Sequence, residues 1–491
     1  MEQHRMKLPL FDDYWIDFRI GTTRRWFAPE PMGAVPGGPY SSLIYVPEDK
    51  KYRIYYEQVV SYKDDDCRVL MCQQSEDLIH FEPLLNDEGG PIIYDGEFGL
   101  HGTSVLYDPL DKDPSRRYKL CGMFGMDRAK KGESPDWMGV EIAFSPDGIH
   151  FTRHPECKVF NQTSDALNKL CYNPLDGKYT VFHRAGFVDR RISITRSEDL
   201  IHWSRPRIIL QPSTNYNDGF TGMQHYSMTG NYFDGIFYGL VWRYNTSLYD
   251  KDFSRMFGFM DTELVYSYDG EEYLYTSGKN LMERPYYPQP GCCGLSPDDM
   301  CESADGQSYY ILCFGYNKSH GNMKYNIRVT EELRDKNVKL PSGQPLYKIR
   351  KDGFCGIESI GDGGLVITKC LALMKDDLSF NIRANLGTAR FGIMDMMGNY
   401  LEGFSLEDSI PFEYDDSVDV KPQWKEHQLS EVLNKRVRIV VELNTAMLHC
   451  ITATARPYVR QMQESFAHPE AIIDPALADS VPRKGLWGET K

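Results

Sequence analysis

The sequence predicts an all-β protein: a five-bladed β-propeller followed by a β-sandwich domain. Three observations carry that expectation. A turn motif, Ser-x-Asp followed by a terminal aromatic, recurs at residues 75–81 (SEDLIHF), 145–151 (SPDGIHF), 197–203 (SEDLIHW) and, more loosely, 267–273 (SYDGEEY). A degraded fifth copy (TEELRD) begins at Thr330. Short strand-like runs rich in aromatic and β-branched residues lie between the copies, punctuated by Gly, Pro and Asp. From about Lys351 the motif disappears and longer alternating runs take over, such as GLVITKC and VRIVVEL. A repeat at this period, with one small sheet per copy, is the mark of a propeller.

Each predicted unit has the same order. A first strand leads through a tight turn (VPEDKKY, NPLDGKY, ADGQSY) into an aromatic-rich second strand. A third strand then runs into the Ser-x-Asp turn, and a short outer strand follows. Ser and Asp suit that turn because their side chains bond nearby backbone amides. The expected strands include 42–46, 52–58, 103–107, 118–123, 169–172, 179–183, 223–228, 236–242 and 309–315. Residues 11–19 are expected to close the ring by adding to the last blade. The domain boundaries are then 1–350 for the propeller, 351–455 for the sandwich and 456–491 for an irregular C-terminal arm. The sandwich or the arm is where self-association is expected. His80, His150 and His202 repeat by blade, which marks them as structural.

Composition narrows the function. The formal net charge is −15 with 25% charged residues, and no clustered basic face offers itself to a phosphate backbone. Nucleic acid and anionic membrane surfaces are therefore not expected partners. No signal peptide or apolar membrane span is visible, and the twelve scattered cysteines form no CxxC pair, so a cytoplasmic location with reduced thiols is expected. The adjacent Cys292 and Cys293 receive no role. No metal-ligand spacing, phosphate loop or nucleophile elbow occurs, and neither cofactor nor metal is expected. The 32 Tyr suit pleated strands and also clefts that stack on sugar rings.

Propeller geometry supplies a filter for site residues. The starts of first strands and the ends of second strands share one rim and converge on the axis. At the first-strand starts this selects residues 39–42 in unit one, Asp95, Glu97, His101 and Thr103 in unit two, and Asp165 and Asn168 in unit three. Asp218, Gln224 and His225 come from unit four, and Asp299 and Glu302 from unit five. At the second-strand ends it selects Gln58, Arg184, Trp242, Arg243, Tyr316 and His320. Glu141 and Glu263 lie on third strands, in a slot expected to point away from the axis. Carboxylates, Arg, amides and aromatics on one rim suit a small carbohydrate substrate.

A propeller followed by a sandwich, with these Ser-x-Asp marks, resembles the invertase and levanase-type hydrolases of glycoside hydrolase family 32. Family 43, the arabinanases and xylosidases, is the next resemblance. Residues 100–105 (LHGTSV) are similar to the F-S-G-S-A-V of blade two, and residues 352–354 (DGF) with 403–405 (GFS) resemble the sandwich of family-32-like proteins. Three departures stand against this. Residues 37–42 (GGPYSS) replace W-M-N-D-P-N-G with its nucleophilic Asp, residues 165–168 (DALN) replace R-D-P, and residues 218–220 (DGF) occupy the Glu-Cys-Pro slot. The resemblance implies a glycosidase working through two carboxylates, one protonating the leaving oxygen and one attacking or activating water. The catalytic pair is expected among Asp165, Asp218 and Glu302, with Asp95 and Glu97 in reserve. The substrate class is a small oligosaccharide or a fructoside- or arabinoside-like furanoside. Two alternatives stay open. One is a phosphorylase like those of the five-bladed family 130, with Arg184, Arg243 and His320 holding phosphate. The other is a non-catalytic carbohydrate-binding propeller.

Overall fold

The computed structural model describes residues 5–62, 65–126, 139–161, 164–184, 190–212, 221–247, 258–277, 280–287, 289–318, 320, 328, 331–338, 343–361 and 363–457. The chain divides into two compact units, residues 28–350 and residues 1–27 with 351–491. No helix among the described residues is long and apolar enough to cross a membrane.

The first unit is the five-bladed propeller. Blade one contains Ser42–Val46, Lys51–Tyr62, Asp65–Ser75 and Glu82–Pro83, with Ile92–Tyr94 also pairing on the third strand. Blade two contains Leu100–Tyr107, Tyr118–Phe124, Val140–Ser145 and Thr152–Phe160. Blade three contains Lys169–Asn173, Lys178–Arg184, Ile192–Ser197 and Arg207–Leu210. Blade four contains Thr221–Phe233, Ile236–Ser247, Gly258–Ser267 and Leu274–Tyr275. Blade five contains Gly294–Glu302, Ser308–Tyr316, Gln344–Arg350 and Glu30–Val35. The first strands contact one another in a closed circuit, from blade one through to five and back to one.

Side-chain hydrogen bonds tie neighbouring first strands around that circuit. The Val105 amide donates to Ser42 Oγ at 2.8 Å, joining blades one and two. Ser104 Oγ donates to the Asn168 carbonyl at 2.6 Å and accepts from the Leu170 amide, joining two and three. Ser227 Oγ donates to the Leu167 carbonyl at 3.3 Å, joining three and four. The Ser41 and Leu43 amides donate to Asp298 and Asp299, each at 3.0 Å, joining five and one. Inner strands cannot ladder to their neighbours in a propeller, so small hydroxyls and carboxylates satisfy the buried backbone there.

Residues 11–19 do not close the ring. Ile16–Ile20 pairs with Gly364–Thr368, Arg5–Pro9 with Met447–Pro457, and Thr22–Trp26 with Cys355–Ser359, all in the C-terminal unit. The apolar residues Leu8, Leu10, Phe11, Trp15 and Ile16 are buried in that unit. Buried Lys7 pairs with Asp352 at 2.8 Å there. Glu30–Val35 performs the closure instead, as the outer strand of blade five against Gln344–Arg350.

Among the described residues the antiparallel strands of the C-terminal unit form two main sheets and a separate pair, Ser409–Ile410 with Gln423–Trp424. The two main sheets are joined by Leu371–Leu373, which pairs with both Arg436–Asn444 and Met447–Pro457. Phe380 and Phe391 stack at 4.4 Å between strands of the two sheets. The predicted arm lies outside the described residues from 458 onward.

The repeated turn works as its residues suggest. Ser75 Oγ accepts from the amides of Asp77 and Leu78, and Asp77 Oδ1 accepts from those of Ile79 and His80. His80 Nδ1 donates to Asp77 Oδ2 at 2.7 Å. The same set recurs at Ser145–His150 and Ser197–His202, and without the His at Ser267. The corner residue has positive φ, +82° at Gly148 and +77° at Gly270, but also +61° at Leu78 and +67° at Leu200. The Ser and Asp bonds hold leucine in a conformation it disfavours. Thr330, the start of the degraded fifth copy, lies outside the described residues, and 331–335 is helical.

These turns predict an acid-labile fold. Burial raises the Asp147 carboxyl, but bonds from the backbone amide and ring of His150 outweigh it and bring its pKa from 3.8 to about 2. Asp77, Asp199 and Asp269 are lowered too. A depressed folded pKa contributes stability above the unfolded value, and that stability is lost as pH falls through the folded one. The denaturation midpoint in urea is therefore expected to drop between about pH 4 and pH 2, with a shallower drop in Asp147→Ala. An equal slope in the two proteins would remove this role from the turn.

Candidate active site

In each blade the pairing register sets first-strand starts against second-strand ends. His101 faces Met123, Lys169 faces Phe182 and Gly294 faces Tyr316. One rim therefore gathers side chains from all five blades.

His101 lies on this rim at the start of the first strand of blade two, 6% exposed. Its Nδ1 lies 3.3 Å from Glu57 Oε2 and its Nε2 3.2 Å from Asp165 Oδ1. Glu57 comes from the second strand of blade one, and its Oε1 accepts from the Thr103 amide at 2.9 Å and the Thr103 hydroxyl at 3.0 Å. Burial disfavours a charged ring, but the hydrogen bonds to Asp165 and Glu57 outweigh it and raise the His101 pKa. The imidazolium can then donate to both carboxylates. The Arg68 guanidinium lies against the same Nδ1 and opposes that charge.

Asp165 reaches solvent, with a side chain 55% exposed. Arg184 Nη2 approaches its Oδ2 at 3.4 Å. Burial of the carboxyl raises its pKa, but the His101 bond and then the Arg184 charge outweigh this, so the group lies below the usual carboxylate range. Asp165 is thus an ionised, accessible carboxylate held on both oxygens.

A cationic edge lies beside it. The guanidiniums of Arg184 and Arg190 each sit 5.0 Å from the ring centre of Tyr226. Arg190 donates to Gln224 Oε1 at 2.5 Å. Among the described residues, Arg184 Nη1 and His320 Nε2 are buried without a hydrogen-bond partner. His320 is fixed by reciprocal backbone bonds to Gly258 and meets Tyr226, Tyr244 and Tyr316 edge-on. Burial first, and the Arg190 charge second, push its pKa down to about 4, so it is neutral at pH 7.

Aromatic side chains form the floor. Tyr40, Trp242 and Tyr226 stack in a column with ring spacings of 6.0 and 6.1 Å, and Tyr40 also meets His101 edge-on at 4.9 Å. Trp242 Nε1 donates to the Pro297 carbonyl at 2.8 Å, fixing the middle ring. Tyr40 is half-buried, and its φ of +55° lies in the left-handed region. It belongs to the segment that replaces the expected Asp motif.

The structure thus assembles His101, Asp165, Arg184, Gln224, Trp242 and His320 from the predicted set. It places others elsewhere. Glu302 ends its strand, paired with Tyr309 beside the hairpin turn, and so sits at the far end from the rim. The strand begins at Gly294, and the Ser-Pro-Asp-Asp run that resembles a turn lies inside it. Asp95 caps a tight turn by accepting from the Glu97 amide at 3.0 Å, and Glu97 pairs with Arg153 of the outer strand at 2.5 Å. Asn168 is fully buried and donates to the Gly102 and Ala166 carbonyls. Asp299 accepts from Lys169 at 2.6 Å, from Asn231 and from the Leu43 amide, and ties blades together. His225 and Arg243 face the opposite side of blade four from Trp242. There Arg243 lies 4.0 Å from buried Glu263, whose pKa burial raises to about 7. Glu141 is engaged by Arg153 and Lys158. Asp218 lies outside the described residues.

Glu57, Arg68, Arg190 and Tyr226 were not singled out by the sequence, whereas Tyr40 lies within the selected residues 39–42. Glu57 is one residue from Gln58, the position the rim filter selects. Among the described residues no group of His, Cys, Asp and Glu has the arrangement of a metal site.

No family model matches the chain, and no curated protein matches it. By structure the chain is similar to a protein described as a glycoside hydrolase, at 11% identity, over 66% of this chain and 92% of that one, with a TM-score of 0.42. It is also similar to a structure from work on the GH130 mannoside phosphorylases, a family containing hydrolases of β-1,2 mannosidic linkages in Candida mannan. The values there are 12% identity, 65% and 93% coverage, and a TM-score of 0.39. A third is the native arabinanase of Bacillus subtilis, at 13% identity, 66% and 96% coverage, and a TM-score of 0.36.

Proposed function

We propose that the chain is a carbohydrate-active enzyme that cleaves a glycosidic bond at the propeller rim, with Asp165 as the ionised carboxylate. The observation that carries this is the exposed Asp165 carboxylate, fixed by His101 on one oxygen and Arg184 on the other. A carboxylate so placed can activate water or attack the anomeric carbon, and its depressed pKa keeps it in the competent form. His101 orients it, and Arg184 offsets charge on the reacting centre. The partner acid is proposed to be Asp218, just ahead of Thr221 in the sequence. The test is sugar release from a panel of aryl glycosides and oligosaccharides by the wild type and by Asp165→Asn. Turnover that survives the substitution would remove Asp165 from the chemistry. Binding by calorimetry without turnover on any panel member would favour a carbohydrate-binding propeller.

A second reading has its own observation in the cationic edge. Arg184 Nη1 and His320 Nε2 are buried with no partner among the described residues, and Arg190 approaches the same Tyr226 ring, an arrangement suited to an oxyanion. If that oxyanion is phosphate, the reaction is phosphorolysis. Turnover is then expected to depend on added phosphate and to release a sugar phosphate, and equal rates without phosphate would exclude it.

A further inference from the structure

Adjacent cysteines stand at the start of blade five. Cys292 and Cys293 Sγ lie 3.9 Å apart, and both residues are half-buried. Eight of the twelve cysteines are buried instead, and the half-buried Cys301 has its thiol turned to the Glu302 carbonyl at 3.3 Å. The backbone around the pair is tightly held. The Cys292 amide donates to the Gln289 carbonyl at 3.3 Å and the Gly294 amide to that of Gly291 at 3.0 Å. Gly291 has a φ of +92°, and a Cβ there would meet Leu295 Cδ2 at 2.5 Å, so the corner requires glycine. The Cys293 amide donates to the Tyr316 carbonyl at 3.0 Å, and Tyr316 meets His320 edge-on. The pair is therefore presented by a rigid corner that adjoins the rim.

We propose that Cys292 and Cys293 are a dithiol modification site, closed to a vicinal disulfide by a low-molecular-weight disulfide such as oxidised glutathione. The Cys292 thiolate attacks one sulfur of the small disulfide. Its S–S bond breaks, and the departing thiolate takes up a proton. Cys293 then loses its proton and attacks Cys292 Sγ, forming the protein disulfide and expelling the second small thiol. Two protein thiols are oxidised and one small disulfide is reduced to two thiols, so the step balances without another reactant. Burial first, and the neighbouring Cys292 second, raise the Cys293 thiol to about 11, which disfavours the Cys293 thiolate. Closure brings the sulfurs from 3.9 Å to bonding distance, about 2.05 Å.

The test incubates the folded chain with excess oxidised glutathione and weighs the peptide holding both cysteines. The wild type is expected to lose two hydrogens and keep no glutathione, while Cys293→Ser keeps one glutathione on Cys292. Phenylarsine oxide, which requires two thiols within reach, should bind the reduced wild type at one equivalent and be excluded after oxidation. A wild-type peptide that stays fully reduced, or that carries the same stable adduct as Cys293→Ser, overturns the proposal. The wild-type mass alone decides if the variant does not fold.

Discussion

Replacing Asp165 by asparagine should lower turnover about a thousandfold, within the range a positioned acid or base contributes, while leaving the fold intact. The asparagine amide keeps one oxygen for His101 and places a donor where Arg184 needs an acceptor. The side chain is more than half exposed, so its loss leaves no buried group unsatisfied in the propeller core. The pH profile gives a second readout. Asp165 works ionised, and its pKa lies below 3.8 because His101 and Arg184 outweigh its burial. Activity should therefore fall as pH drops through that low value. Arg184→Ala removes a stabilising charge, raises the Asp165 pKa and moves the acid limb upward. A limb that stays in place in Arg184→Ala would mean that another group sets it.

Blade punctuation was legible because its hydrogen bonds are local. Ser75 and Asp77 satisfy amides within three positions of themselves, so sequence proximity is spatial proximity. First-strand starts were legible for the same reason in blades two and three, and His101 and Asp165 followed. Glu57 was not, because the run Tyr-Tyr-Glu-Gln-Val-Val has no clean alternation to tell its inward face from that of Gln58. Arg68 lies on the third strand of blade one, in the slot expected to point away from the axis, yet it reaches His101. Arg190 precedes a strand and belonged to no predicted rim position. Residues 16–20 and 30–35 are both short strands ahead of blade one. Which of them closes the ring depends on pairing with residues hundreds of positions away, and periodicity carries no such information.

Glu57→Ala should be the most damaging single substitution at the rim. Glu57 is 2% exposed, and one carboxylate receives the Thr103 amide, the Thr103 hydroxyl and His101. Alanine leaves the Thr103 amide unpaired and removes one of the two carboxylates that keep His101 charged beside Arg68. Breaking a buried charged contact from one side costs about 3–5 kcal/mol, and urea denaturation measures it. Glu57→Gln separates charge from shape. Its amide oxygen still accepts from Thr103, but the negative charge beside Nδ1 is gone. The His101 pKa, raised in the wild type by Asp165 and Glu57 against burial, should then fall. A ring that loses its proton at lower pH gives Asp165 a weaker donor, so the alkaline limb of activity should move down in Glu57→Gln. Histidine NMR titration reads the ring directly, and an unchanged His101 midpoint would sink the link between Glu57 and the reacting carboxylate. A shifted midpoint with an unmoved activity profile would instead leave Glu57 as a stabilising residue alone.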